Sequence, residues 1–329
     1  MTCLVAVIVT RNRAAQVIGV LDALARQTRR PDLTLVIDNA STDDTPARLK
    51  ARSATDPTLR LLRLDRNLGG AGGFAEGIRQ ACALGASHLW LSDDDAFPQP
   101  DAIDRLLTAL QDFESRLDRR PAFACSRVIW TDGSHCEMNT PRPVWDWPRF
   151  LTATDGVALV DSCSFVSVLI PRWAVERHGL PLAEYFIWFD DAEYTRRLST
   201  SHPGLYVPAS VIRHDITVNR GVNFGRVTPD DLWKFRFGAR NEASFHLHRE
   251  GWVSYLLFAD HVRRQLHAGK VPFRLRWPIW RSLLAALVFN PRPRPLNASA
   301  AAPEPPGSPP GRSAPPTART ADATPPARR

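Results

Sequence analysis

A chain of 329 residues with 44% hydrophobic and 23% charged side chains has a soluble globular composition and length enough for one large domain or a domain plus an appendage. Its formal charge of +8 is carried C-terminally: residues 260–281 hold six Lys or Arg against one acid, and residues 291–329 six Arg against two acids. That distribution argues against a nucleic-acid-binding core and for a basic C-terminal segment suited to an anionic surface. Five cysteines (Cys3, Cys82, Cys125, Cys136, Cys163) are odd in number and lack paired spacing, which speaks against zinc or a disulfide framework and for a reducing compartment.

In chain order, the apolar run Leu4–Val9 reads as a buried strand rather than a signal peptide, being short and without a basic flank. Val17, Val20, Leu21 and Leu24 give helical spacing over 14–27. Leu33–Ile37 is a second strand, followed by a helix toward Arg52 capped by Ser41 or Thr42. Leu59–Leu64 is a third strand, Gly73–Ala83 a helix opened by glycines, His88–Leu91 a fourth strand, and 101–113 a helix. Such alternation predicts an α/β fold, with a Rossmann-like, mostly parallel central sheet flanked by helices and ligands bound beyond the carboxyl ends of the strands. Further on, strands are expected at 122–130 and 156–161, helices at 171–178 and 190–199, and short strands at 205–207 and 211–213. Helices follow at 230–249 and 251–268, then a short apolar stretch at 279–289, and no run approaches the roughly 18 apolar residues of a membrane span. Residues 291–329 hold 12 of the 28 prolines, the composition of a disordered tail. The expected division is 1–225, 226–290 and 291–329.

The residues with chemical potential fall at the predicted strand ends. They are Thr10-Arg11-Asn12-Arg13, then Asp38-Asn39-Ala40-Ser41, then Asn67-Leu68-Gly69-Gly70-Ala71-Gly72-Gly73, and then Asp93-Asp94-Asp95. Much later come Trp188-Phe189-Asp190-Asp191 and a lone His214. In extended backbone Asp93 and Asp95 share a face, and two converging carboxylates call for a cation between them. A solvated acidic turn before Pro98 and Pro100 is the competing reading. Gly70–Ala75 with Asp93 about 20 residues on also fits a dinucleotide pattern, which makes a nucleotide-dependent oxidoreductase an alternative. Against it, the glycines follow the third strand and Asp93 belongs to a cluster.

Taken together and in this order, the segments resemble the family 2 glycosyltransferases, whose sugar-nucleotide-binding fold is called GT-A. The glycine run and the tryptophan before Asp190-Asp191 are most similar to bacterial galactofuranosyl- and rhamnosyltransferases of cell-surface polysaccharide synthesis. Arg240-Asn241 resembles a pair in that subgroup.

The resemblance implies an inverting, metal-dependent transferase working from a UDP- or dTDP-sugar donor onto a glycan or polyprenyl-linked acceptor. It implies that Asp93 and Asp95 hold Mn²⁺ or Mg²⁺ on the donor diphosphate, with Asp94 turned toward sugar or ribose and His214 as third protein ligand; an imidazole leans toward Mn²⁺. Asp38 would contact ribose or base, against the alternative of an ordinary turn and cap. Thr10 would offer backbone groups to the base, Arg11 or Arg13 charge to the diphosphate, and Asn67 and Gly70 a close backbone approach.

Asp191 is the expected catalytic base. Asp190 has capping-box spacing to Glu193 and either caps the helix or joins the chemistry. Trp188 and Trp145 are acceptor-side candidates, with core packing as the alternative for Trp188. A non-catalytic sugar-nucleotide-fold binding module is the second alternative. The basic and aromatic residues of 263–287 fit either a helix on anionic lipid, placing a cytoplasmic protein at the inner face of the cell membrane, or a helix packed on the main domain.

Overall fold

A computed structural model describes residues 3–115, 120–153 and 156–296. The first half alternates β1 (Leu4–Thr10), α1 (Ala14–Ala25), β2 (Leu33–Asp38), α2 (Thr45–Ser53), β3 (Leu59–Arg63), α3 (Gly69–Ala83) and β4 (His88–Asp93). These strands pair in parallel in the order β3-β2-β1-β4, with Thr10 opposite Asp38 and Val9 opposite Asp93. Three carboxyl ends are thereby placed side by side.

The second half comprises β5 (Ala96–Pro98), α4 (Ala102–Glu114), β6 (Phe123–Ile129), β7 (Arg142–Pro143), β8 (Ala158–Ser162), β9 (Val168–Pro171), α5 (Arg172–His178), α6 (Asp190–Leu198) and β10 (Gly204–His214). The sheet continues as β4-β9-β6-β10-β8-β7, and β9 runs antiparallel to both β4 and β6. The central sheet is therefore parallel through its first four strands and mixed beyond them. The two short strands expected at 205–213 are one strand with a register shift between Val207 and Val211. Pro208 lies in that interval and has no N–H for the ladder.

Strand alternation sorts the core. Leu4, Ala6 and Ile8 face α1 and α4, while Val5, Val7 and Val9 face α3. Helix α3 begins at Gly69, four residues before the expected start, and takes in the glycine run. A Cβ at Gly73 would lie 2.5 Å from Val9 Cγ1, and one at Gly77 would collide with Val7. These glycines let the helix lie close on the sheet. Neither Ser41 nor Thr42 caps α2, whose N-cap position is Asp44; Asp43 accepts from Thr45 N, and Thr42 N donates to Asn12 Oδ1 across the two loops.

Helices α7 (Leu232–Phe245), α8 (Trp252–Ala268) and α9 (Phe273–Ala285) form a C-terminal extension with its own apolar cluster, including Phe235, Phe258, Val262, Ile279 and Leu283. Helix α9 takes in much of the apolar stretch at 279–289 and runs through Pro278. Beyond it, Leu180 N donates to Arg294 O and Arg294 pairs with Glu184, so residues 291–296 lie on the sheet domain. The rest of the proline-rich tail, 297–329, lies outside the described residues.

Candidate functional site

Asp93 ends β4, Asp94 and Asp95 form the turn that follows, and β5 then pairs antiparallel with β10, setting Ala96 opposite His214. The convergence arises from this reversal and not from alternation along one strand. One ligand atom each from Asp93, Asp95 and His214 lie within 4.8 Å of one another. His214 Nε2 is 3.2 Å from Asp95 Oδ1, and its Nδ1 donates to Asn139 Oδ1 at 2.8 Å. Asn139 is itself held by Cys136 and Ser164. Fixing Nδ1 as the donor aims Nε2 at the carboxylates, the orientation a metal-ligating histidine needs.

Electrostatics describe a site short of positive charge. Burial, then the charge of Asp95, pushes the Asp93 carboxyl up to about 7, with smaller pushes from Asp94 and Asp191 against the pull of His214. Burial also opposes the charge on His214, but its bonds to Asp95 and Cys136 and the neighbouring carboxylates carry it up to about 10. Asp95 goes the other way: burial is outweighed by His214 and Arg13, which hold it below the usual range. Asp94, raised to about 6 chiefly by burial, accepts from Thr10 Oγ1 at 2.7 Å and from Arg13.

Arg13 also bonds Asp95. Thr10 is buried, its carbonyl taken by Asn39 N and its hydroxyl by Asp94, so its bonds are spent inside the protein. Arg11 is exposed.

Asp38 is 4% exposed; its Oδ1 accepts from Ser41 N, and its buried Oδ2 has no hydrogen-bond donor, with Arg63 Nε 3.5 Å away. An orphaned carboxylate oxygen at a strand end is costly unless something else supplies a donor. Asn67 closes the α3 turn through Gly69 N, and Asn39 clips the same turn by bonding Leu68 N and Gly69 O. A Cβ on Gly70 would meet nothing within 4 Å, so this face of the helix start is open.

Asp190 and Asp191 open α6. Asp190 is buried and raised well above the ordinary range by burial, then by Asp191 and, to a lesser degree, Asp93. Asp191 is partly exposed and also raised by burial, against bonds from backbone amides and the charge of Arg196. The charge of Asp191 adds to the upward push on Asp190 and, weakly, on Asp93.

The loop before them is strained: Phe186, Trp188 and Phe189 have φ of 65°, 65° and 68°. Phe186, with ψ −58° and Ile187 N bonded to Tyr185 O at 2.7 Å, centres a γ-turn of the strained hand. Each such residue costs about 1–3 kcal/mol and persists only where its surroundings over-determine it.

Trp188 is half-buried against Gly238 and Phe235, and Trp145 stands 96% exposed. Asn39 and Asn139, which hold the site from behind, were invisible as such in the sequence: Leu68, which Asn39 holds, lies 29 residues away, and His214, which Asn139 holds, lies 75 away.

The sequence profile of the glycosyl transferase family 2 matches residues 5–151. The chain is 43% identical over 208 residues to galactofuranosyltransferase GlfT1 of Mycolicibacterium smegmatis, a stretch covering 60% of this chain and 65% of that protein. It is 40% identical over 208 residues to GlfT1 of Mycobacterium tuberculosis, covering 60% and 64%. The match thus spans less than two thirds of either relative.

Among solved structures, residues 1–349 of S. aureus TarS superpose with a TM-score of 0.58 at 14% identity, over 88% of this chain and 80% of that one. GalNAc-T7, solved with UDP, GalNAc and Mn²⁺, gives 0.57 at 14%, over 79% and 54%. At that identity the likeness concerns the fold, which is GT-A.

Proposed function

We propose, on the match of residues 5–151 to the glycosyl transferase family 2 profile, that the chain transfers a sugar from a nucleoside diphosphate to an acceptor hydroxyl with inversion. The observation that carries this reading is the gathering of Asp93, Asp95 and His214 within 4.8 Å, with Asp191 in electrostatic reach. Two carboxylates and an imidazole whose far nitrogen is already bonded fit a divalent cation, and raised acids beside them fit a site completed by positive charge. Asp93, Asp95 and His214 would hold Mn²⁺ or Mg²⁺, which when bound neutralises charge on the diphosphate leaving group.

Asp191 does the proton chemistry. It takes the proton of the acceptor hydroxyl as that oxygen bonds the anomeric carbon; the anomeric carbon–phosphate oxygen bond breaks, and its electron pair leaves with the nucleoside diphosphate. Burial raises its proton affinity and so makes it a stronger base than a solvated carboxylate. Burial and the neighbouring carboxylates push Asp190 toward its neutral form, which weakens the charge it sets beside Asp191. The unfilled Oδ2 of Asp38 accepts from ribose or base, the open face at Gly70 admits the donor, and Arg11 and Arg13 offer charge to the diphosphate.

The relatives named galactofuranosyltransferase favour galactofuranose, with rhamnose as the other candidate, carried by UDP or dTDP. The acceptor is a glycan or polyprenyl-linked sugar of cell-surface polysaccharide synthesis. The outer face of α9, where Phe273, Arg274, Trp277, Arg281 and Leu284 are exposed, rests on anionic lipid at the inner membrane surface and brings a lipid-linked acceptor within reach.

Asp191→Asn tests the mechanism. Nucleoside diphosphate release from UDP-galactofuranose or dTDP-rhamnose with Mn²⁺ should fall by about 100-fold or more, while calorimetric binding of the nucleotide with Mn²⁺ persists. Full turnover in that variant would remove Asp191 as the base.

A further inference from the structure

We propose that Arg240 and Asn241, on the helical extension, are positioning residues for Asp191, acting through the backbone of the loop 184–189; the proposal rests on the functional reading above. Asn241 is wholly buried, and its Nδ2 lies 2.9, 3.1 and 2.9 Å from the carbonyl oxygens of Tyr185, Ile187 and Trp188. Those carbonyls belong to the stretch in which Phe186, Trp188 and Phe189 are left-handed. One amide nitrogen therefore gathers the carbonyls of a conformation that bulky residues do not adopt by themselves.

The direction of that amide is itself fixed. Its Oδ1 accepts from Arg240 Nε at 3.1 Å and Nη2 at 2.8 Å, so a flipped side chain would set an oxygen against the three carbonyls and a nitrogen against a cation. Arg240 Nη2 also donates to Glu184 O at 2.9 Å, extending the grip to the start of the loop. The guanidinium carbon sits 3.8 Å from the Phe289 ring centroid and 5.0 Å from that of Phe237. No carboxylate is paired with Arg240 among the described residues, and burial lowers it to about 10. A planar, forked cation between rings suits this place; an ammonium would not reach the same acceptors.

Both flanks of the loop are tight. Ala71 N at the α3 start donates to Phe186 O, and a Cβ on Gly69 would collide with that same carbonyl. On the opposite side a Cβ on Gly238 would lie 2.8 Å from Trp188 Cε3. The loop ends at Phe189, and the next two residues are Asp190 and Asp191 in the first turn of α6. Where the loop is held decides where the base emerges relative to Asp93, and small displacements of a reacting group cost rate far more than affinity.

The experiment measures donor turnover by the full chain with UDP-galactofuranose and dTDP-rhamnose in Mn²⁺, in wild type, Asn241→Ala, Asp191→Asn and the double variant. Arg240→Lys serves as the milder variant should Asn241→Ala fold poorly. Amide hydrogen exchange over 184–193 is followed in the ligand-free proteins.

Expected results are a fall in kcat on the order of 100-fold for Asn241→Ala with donor KM within about twofold, a smaller fall for Arg240→Lys, and faster exchange confined to the loop and the start of α6. The Asn241→Ala loss should largely vanish in the Asp191→Asn background, because both act on one proton transfer. An undiminished kcat in Asn241→Ala, or a loss of the same size in both backgrounds, overturns the positioning role. A wild-type chain that turns over neither donor, while its loop exchange responds as stated, overturns the functional reading and leaves the clamp a purely structural device.

Discussion

At the scale of single residues, Asp93 is where metal and proton compete. Its carboxyl is held up to about 7 by burial and by Asp95, so in the metal-free protein the protonated form is favoured below that pH. That contribution to stability is complete below about pH 4, the ordinary Asp range, and is lost as pH rises through about 7. Cation binding needs the ionised form and therefore strengthens over the same window. Calorimetric Mn²⁺ titrations should show at least about tenfold tighter binding at about pH 8 than at about pH 6, with proton release at both values, since His214, carried up to about 10, must also give up its proton to ligate, and with more release at the lower one. A flat profile would mean that Asp93 is not a ligand. The acids themselves were legible because like charges at a strand end demand an explanation from their own neighbourhood. The atoms that orient them were not: Asn139 stands 75 positions from His214, and Asn241 reaches back 56 to Tyr185.

Among the elements, α3 shows how one sequence signal can carry two meanings. Glycines ahead of a helix suggest a cradle for anionic groups, yet Gly73 and Gly77 face Val9 and Val7, and only Gly70 looks onto open space. Their substitutions should separate accordingly. Gly77→Ala forces a methyl into Val7 and toward Ile37, and overpacking of this kind costs about 1–3 kcal/mol against a helix-propensity gain of about 1 kcal/mol. Gly70→Ala meets no atom within 4 Å and keeps that gain. Urea unfolding should therefore show Gly77→Ala less stable than wild type and Gly70→Ala equal or slightly more stable; the reverse order would contradict the packing described. Strand β9 escaped the sequence reading for a related reason. Its four buried residues run straight into α5, too short a stretch for a period to emerge, although it fills the sheet between β4 and β6.

For the whole molecule, the question is which surface meets its surroundings. The composition of 263–287 allowed a packed helix or an interfacial one, and α9 has one buried face and one exposed face. Leu275, Ile279 and Leu283 are buried against the extension, while Phe273 at 73%, Trp277 at 52% and Leu284 at 58% face outward. Exposed Arg274 and Arg281 fall three before and four after Trp277, so charge and ring share one face, as in a helix lying among headgroups. Among the described residues no helix is long and apolar enough to cross a membrane. Flotation with vesicles containing phosphatidylglycerol should recover the chain, and pure phosphatidylcholine should recover much less. Phe273→Ser with Trp277→Ser should lower recovery at all salt concentrations by removing buried apolar area. Arg274→Gln with Arg281→Gln should lower it mainly at low salt, since each cation near such a surface contributes about 1 kcal/mol and is screened within a Debye length of about 10 Å. Equal recovery of wild type and both double variants would place this face in water and detach the acceptor proposal from the membrane.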